Sequence, residues 1–418
     1  VGMSSLGYQW VGSQLADAGF GVERVFLPDD VDAWKKQRTP PLSMETHSAL
    51  GDFPLICVSL AYELELAGLV TLLEMAGIPP LRENRGPQDP KILIGGPLTF
   101  SNPLPAAPFA DAMLLGEVED VLLPAVEGFF EEGSLDHVAG LAGGYIETIH
   151  GDRLPPVAKA SDALLPARSR ILTADTELSN MFLIEGERGC HRECTFCVMR
   201  RSTNGGMRLV SPEAILGYVP EEARRVGLVG AAISDHPRLV ELLGAIVDSG
   251  REVGISSLRA DRIALKPDIA RLLRKGGYQT LTVASDAASQ RLRRTIKKGT
   301  TEAHLMACAE AAAEHKYKML KVYMMVGLPG EEEEDVEELI AFTLRLAAVH
   351  PVALGVAPFV PKLNTPLDRG EFAGVALVER RLERIQKAFR GTRAELRSTS
   401  AKWAWVEYRL AQGGPATG

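Results

Sequence analysis

Short apolar runs alternate with segments of helical spacing along most of this chain, and the alternation falls into two blocks. In the first, Tyr8 to Ala18 reads as a helix stopped by Gly19, Val22 to Phe26 as a strand, Leu55 to Leu60 as a buried strand, and Ala67 to Met75 as a helix ended by Gly77 and Pro79. Ile92-Leu93-Ile94 then runs into Gly95-Gly96-Pro97, and Ala112 to Leu115 runs into Gly116-Glu117. Strands and helices in alternation predict a doubly wound α/β domain over residues 1–150. Open parallel sheets take ligands where their strands end, but glycines at those ends serve tight turns equally well.

Residues 151–178 carry Pro155, Pro156 and Pro166 among mixed charges with weak periodicity, and read as a connector. The second block, residues 179–370, holds six short apolar runs separated by helical patterns: Met181 to Ile184, Gly230 to Ile233, Val253 to Ser256, Thr280 to Ala284, Leu320 to Val326 and Ala353 to Ala357. Six such units predict a partial or full β/α barrel with its site at the carboxyl ends of the strands. Residues 371–418 form a helical extension, in which Ala373 to Phe389 is amphipathic and Trp403, Trp405 and Tyr408 form an aromatic cluster expected to pack the terminus onto a core.

Composition narrows the function classes. The 418 residues include 46 Lys+Arg against 54 Asp+Glu, a formal charge of −8, and 46% are hydrophobic. That length and apolar content suit two or three folded domains, and the negative charge argues against a protein built to hold nucleic acid. No apolar stretch reaches the roughly 18 residues that a bilayer span needs, so no membrane partner is expected. There is no secretory pattern at the start, which points to a cytoplasmic protein. The chain opens without Met in an apolar-to-Gly/Ser transition, Val1 to Gly7, as though an upstream strand precedes it.

Three of the five cysteines, Cys190, Cys194 and Cys197, fall within eight positions directly after the run Met181 to Ile184. That crowding suits a metal site in a reducing compartment rather than a disulfide framework. Cys57 and Cys308, in an apolar strand and an Ala-rich helix, read as small core residues. Zinc would need His191 or a distant residue as a fourth ligand, and would make the chain a metal-stabilised scaffold or sensor. An iron–sulfur cluster, which usually takes four cysteines, would keep one iron open to a substrate or cofactor.

Cys190-x-x-x-Cys194-x-Phe196-Cys197 resembles the signature of the radical S-adenosylmethionine (SAM) superfamily. The resemblance implies an enzyme in which these three cysteines hold a [4Fe-4S] cluster whose open iron chelates SAM. It further implies an electron donor such as a flavodoxin or ferredoxin. Segments at later strand ends resemble the family in the same order. Ser234 and Asp235 stand where many members have Gly-Gly-Glu, and Ser256 and Arg259 end the third run. Ser285 and Asp286 end the fourth, where Glu is usual at the Asp286 position, with Arg291 just beyond. Gly327 lies in the fifth-strand motif, and Val360 in a second adenine-side segment. A sulfonium that also carries a carboxylate calls for a cation such as Arg259 or Arg291, and adenine for a flat apolar wall.

In the first block, Ser4, Ser5, Leu6, Gly95, Gly96, Gly116 and Glu117 lie in segments that resemble a subgroup with an N-terminal Rossmann-like, cobalamin-binding-type domain. That resemblance implies cobalamin and methyl transfer to an unactivated carbon. The Asp-x-His-x-x-Gly motif that supplies a histidine ligand to cobalamin is absent. Radical chemistry without cobalamin, either hydrogen abstraction, rearrangement or methylthiotransfer to RNA or protein, is the competing expectation. The substrate, a small molecule or peptide, and the catalytic acid or base are not legible.

Overall fold

A computed structural model describes residues 2–199 and 206–418. They form two compact units, residues 2–164 with 409–418, and residues 165–199 with 206–408. Among the described residues, no helix is long and apolar enough to cross a membrane.

The first unit is built on a four-stranded sheet in the order β1 (Leu55–Ser59), β2 (Lys91–Gly95), β3 (Ala112–Leu114) and β4 (Gly144–Tyr145). The first three strands are parallel and β4 is antiparallel to β3. Ile92, Leu93 and Ile94 are all buried, as expected of a strand covered on both faces. Successive residues feed opposite cores. Ile92, Ile94 and Met113 pack with Leu69 and Leu73 of the helix Glu65–Met75, while Leu93, Ala112 and Leu114 pack with Val126 and Phe129 of the helix Leu122–Glu132. Residues 22–26, expected as a strand, are irregular. The Arg24 carbonyl accepts from Met44 N–H and its own N–H donates to the Glu45 carboxylate, so neighbouring loop groups replace a ladder.

The second unit begins with β5 (Met181–Glu185), followed by a short antiparallel ribbon of β6 (Glu187–Gly189) and β7 (Met207–Leu209). Strands β8 (Arg225–Val229) and β9 (Glu252–Ile255) complete a parallel three-stranded arc with β5. A four-stranded parallel arc follows, β10 (Thr280–Ala284), β11 (Met319–Val326), β12 (Val352–Pro358) and β13 (Ala394–Ser398). Both arcs bury one face in a single core, with Phe182, Ile184, Val226 and Leu228 from one and Leu281, Val283, Val322 and Leu354 from the other.

Four expectations change here. The second strand is Arg225–Val229, and Gly230 to Ile233 lies beyond it, running into the one-turn helix Ile233–Asp235. The pattern misled because Gly230, Ala231 and Ala232 are apolar without being β-formers. A seventh strand, β13, was not expected, since Ala-Glu-Leu-Arg-Ser has no apolar run and is an exposed edge. The helix Val375–Phe389 packs through Val378, Leu382 and Ile385, but Trp403 and Trp405 of the helix Ala401–Ala411 stay exposed because that helix turns Ala401 and Ala404 inward. Cys308 is buried as expected, whereas Cys57 is exposed.

Candidate functional site

The cysteine loop leaves the carboxyl end of β5 and hangs from the β6–β7 ribbon. Glu185, the last residue of β5, takes two hydrogen bonds from the Arg188 guanidinium at 2.6 and 2.9 Å and one from Ala167 N–H at 3.1 Å, which sets the turn. Farther along, Thr195 N–H donates to the Ile296 carbonyl at 3.0 Å, and the Cys194 thiol faces the Lys297 carbonyl at 3.8 Å. The Cys190 sulfur accepts from Arg192 N–H at 3.4 Å. All three cysteines are half-buried. Burial pushes the Cys190 and Cys197 thiols above the ordinary range, with a smaller push from Cys194 on Cys190 and from Cys194 and Cys190 on Cys197.

A buried carboxylate fastens this loop to the end of β8. Asp235, whose side chain is fully buried, accepts from Arg192 Nε at 2.7 Å and from Arg192 Nη2 at 2.5 Å, and from Arg262 Nε at 2.5 Å. Burial alone would raise its pKa, but these hydrogen bonds outweigh it and hold the carboxyl down to about 2. Asp261 joins the network at 3.4 Å from Arg192 and 2.9 Å from Arg259.

The other strand-end residues are brought to the same rim and engaged by the chain itself. Ser234 is buried and accepts from Arg259 N–H, and Arg259 donates to Asp261 and to the Lys298 carbonyl. The Ser256 hydroxyl bonds both N–H and carbonyl of Gly230. Ser285 donates to the Ala287 carbonyl, and Asp286 pairs with Lys298. Asp286 sits at φ +60, a left-handed conformation that a non-glycine residue adopts at a cost, of the kind that clusters at functional sites. Arg291 turns to Asp335 and the Gly330 carbonyl. Gly327, at φ +86, donates its N–H to Glu331 at 2.9 Å, and Glu331 forms a buried pair with Arg381 at 2.7 Å. Val360 is half-buried just beyond β12.

Sequence reasoning missed Glu187. It is fully buried on β6, with Oε1 accepting from Ala232 N–H and Oε2 without a hydrogen-bond partner, and burial raises its pKa to about 7. A Cβ on Gly230 would lie 2.3 Å from Glu187 Oε1, so this glycine makes room for the carboxylate. The available signal was an acid two residues beyond a buried strand, which the cysteine motif overshadowed.

Two family models match the chain: the N-terminal region of radical SAM proteins over residues 12–136, and the radical SAM superfamily over residues 184–343. The second spans the cysteine loop and the strand ends described above. The chain belongs to the radical SAM superfamily. It is therefore an α/β enzyme of that family, which implies a [4Fe-4S] cluster and SAM. An uncharacterized protein of Methanocaldococcus jannaschii is 29% identical over 365 residues, 84% of this chain and 76% of that protein. The ribosomal protein uS12 methylthiotransferase RimO of Desulfosudis oleivorans is 26% identical over 242 residues, 54% of each chain. The cobalamin-dependent SAM radical enzyme OxsB, solved with aqua-cobalamin and SAM bound, shares the fold over 93% of this chain and 54% of its own, with a TM-score of 0.51 at 14% identity. The chain thus spans about half the length of RimO and of OxsB.

The radical SAM loop fits a cluster better than a single ion. Among the described residues, no three His, Cys, Asp or Glu side chains converge as ligands for one ion. A cubane does not require that, because each cysteine takes a different iron. A zinc site would need His191, which instead lies 3.2 Å from the Met207 sulfur and 3.8 Å from the Asp235 carboxylate.

The first unit gives its cofactor candidates local roles. Ser4 lies in the one-turn helix Gly2–Ser4, Ser5 caps the helix Leu6–Asp17, and Leu6 is buried. Gly95 ends β2 with its carbonyl on Leu60 N–H. Gly96 and Gly116 have φ near +100, and a Cβ on either would come within 2.6 Å of a carbonyl oxygen, of Leu60 and Ala158 respectively. The Glu117 carboxylate accepts from Ala160 N–H at 2.8 Å. The Gly96 and Gly116 turns lie directly against the chain's own backbone.

Proposed function

We propose that Cys190, Cys194 and Cys197 hold one [4Fe-4S] cluster at whose open iron SAM binds, and that the enzyme methylates an unactivated carbon with the help of cobalamin. The observation that carries the reading is the placement of Cys190, Cys194 and Cys197 on one loop at the carboxyl end of the first strand of the arc, within the segment that the superfamily matches. When bound, the cluster supplies the single electron that breaks the C5′–S bond of SAM and releases Met. The chain's own residues fix the site: Arg192 on Asp235 holds the loop, Glu331 with Arg381 holds the Gly327 turn, and the Asp286–Lys298 pair closes the end of β10.

Cobalamin is supported by the likeness in fold to OxsB, and no step is routed through it. Anaerobically reconstituted protein, reduced with dithionite and given SAM and cobalamin, is expected to release 5′-deoxyadenosine and S-adenosylhomocysteine and to show both iron–sulfur and corrinoid absorption. Deoxyadenosine without S-adenosylhomocysteine or corrinoid absorption would overturn the methyl-transfer part alone. The match to RimO favours methylthiotransfer as a second reading. Those enzymes normally carry three further cysteines before the barrel, where this chain has only Cys57, so a count of one cluster per chain decides against it.

A further inference from the structure

The concave face of the four-stranded arc carries a polar pair that the cluster and SAM do not account for. Along β11, Leu320, Val322, Met324 and Val326 are buried against the helices, while Lys321 and Tyr323 project from the other face, where Tyr323 remains 46% exposed. The Lys321 ammonium donates to the Tyr323 hydroxyl oxygen at 2.7 Å and sits 4.5 Å from the centre of the ring. Because the phenol oxygen accepts that bond, its own hydrogen is directed elsewhere. The pair therefore presents only donors.

Neighbouring strands carry small residues beside it. Lys321 and Tyr323 stand in register with Thr282 and Ala284 on β10 and with Ala353 and Gly355 on β12. Tyr323 lies on Gly355, where a Cβ would be 2.8 Å from the ring, so the ring is held by backbone. The nearest acid in those rows, Glu395 on β13, is paired with Arg397, and no carboxylate among the described residues pairs with Lys321. The Tyr323 carbonyl accepts from Ser285 and Asp286 N–H at 2.8 and 3.1 Å, which places the pair beside the turn whose Asp286 lies within electrostatic reach of Cys197.

We infer that Lys321 and Tyr323 form a substrate anchor that takes an oxyanion, the carboxylate or phosphate of an acidic substrate, on the open face of β11. The inference rests on the proposed radical chemistry only for what then happens to the substrate. An ammonium and a phenol hydroxyl side by side match two oxygens of one anion, and an uncharged donor is worth about tenfold in affinity when its acceptor is charged.

Acetylation of lysines in the reconstituted enzyme, read peptide by peptide by mass spectrometry, tests it with succinate, inorganic phosphate and neutral succinamide as probes. Succinate or phosphate should slow labelling of Lys321 while exposed Lys297 is unaffected, and succinamide should do nothing. The stronger of the two anions identifies the class. In Tyr323→Phe, of unchanged melting temperature, the protecting concentration should rise about tenfold. Lys321 labelled equally fast with every probe, or protected equally well without the phenol hydroxyl, overturns the anchor. Iron content and deoxyadenosine release from the same preparation report separately on the cluster, so failure of one reading does not mimic failure of the other.

Discussion

The two arcs of the second unit treat their polar residues in opposite ways. At the end of the three-stranded arc, Arg192, Arg259 and Arg262 answer Asp235 and Asp261, and the result is a closed network around the cysteine loop. On the other face of the four-stranded arc, Lys321 and Tyr323 pair with each other and, among the described residues, Lys321 has no carboxylate partner. A closed network fixes geometry before a cofactor arrives, as preorganised sites require. An open pair of donors holds a capacity for recognition. One arc is built to position a reactive centre and the other to receive what reacts.

The largest effect tests the first arc. Replacing any one of Cys190, Cys194 or Cys197 by Ala should remove the iron–sulfur absorption of anaerobically reconstituted protein, with iron and sulfide analysis as the measure. A variant that keeps the full cluster would break the assignment of the reactive centre. Arg381→Met then asks whether the second arc also depends on a closed pair at its rim. Removing one partner of the buried Glu331–Arg381 pair should cost about 3–5 kcal/mol in urea denaturation, since an uncompensated carboxylate stays behind.

The network around Asp235 predicts a pH dependence. Its folded-state pKa is depressed from 3.8 to about 2, so its contribution is present above pH 4 and lost as the pH falls through 2. The stability lost between pH 7 and low pH should be about 2 kcal/mol greater in wild type than in Asp235→Asn, measured by denaturation at both pH values. Gly355→Ala should cost about 1–3 kcal/mol, because the new methyl meets the Tyr323 ring, and should change the near-ultraviolet circular dichroism. Lys321→Met should change stability by no more than about 0.5 kcal/mol. A larger loss would make Lys321 a structural residue and erase the contrast between the arcs.

Much of this was legible from the chain. Alternating apolar runs gave both α/β units, and the spacing of Cys190, Cys194 and Cys197 pointed to the reactive loop. What escaped depends on neighbours distant in sequence. β13 lies at an edge, and in Gly230 to Ile233 only Ala232 and Ile233 are buried, beyond the ladder that ends at Val229. Asp235 and Arg291 stand out by their strand-end positions, but the ion pairs that hold them, with Arg192 and Asp335, join residues 43 and 44 positions apart. Glu187 and the Lys321–Tyr323 pair announce themselves only through burial and register, which local pattern does not encode.

The central claim is that three cysteines hold one cluster that cleaves SAM by reduction. It is tested most directly by measuring 5′-deoxyadenosine from reconstituted, dithionite-reduced protein beside the variant with Cys190, Cys194 and Cys197 all replaced by Ala. Release from the wild type and none from the variant is the predicted result. Equal release from both, or none from a wild type shown to hold about four irons per chain, would contradict it.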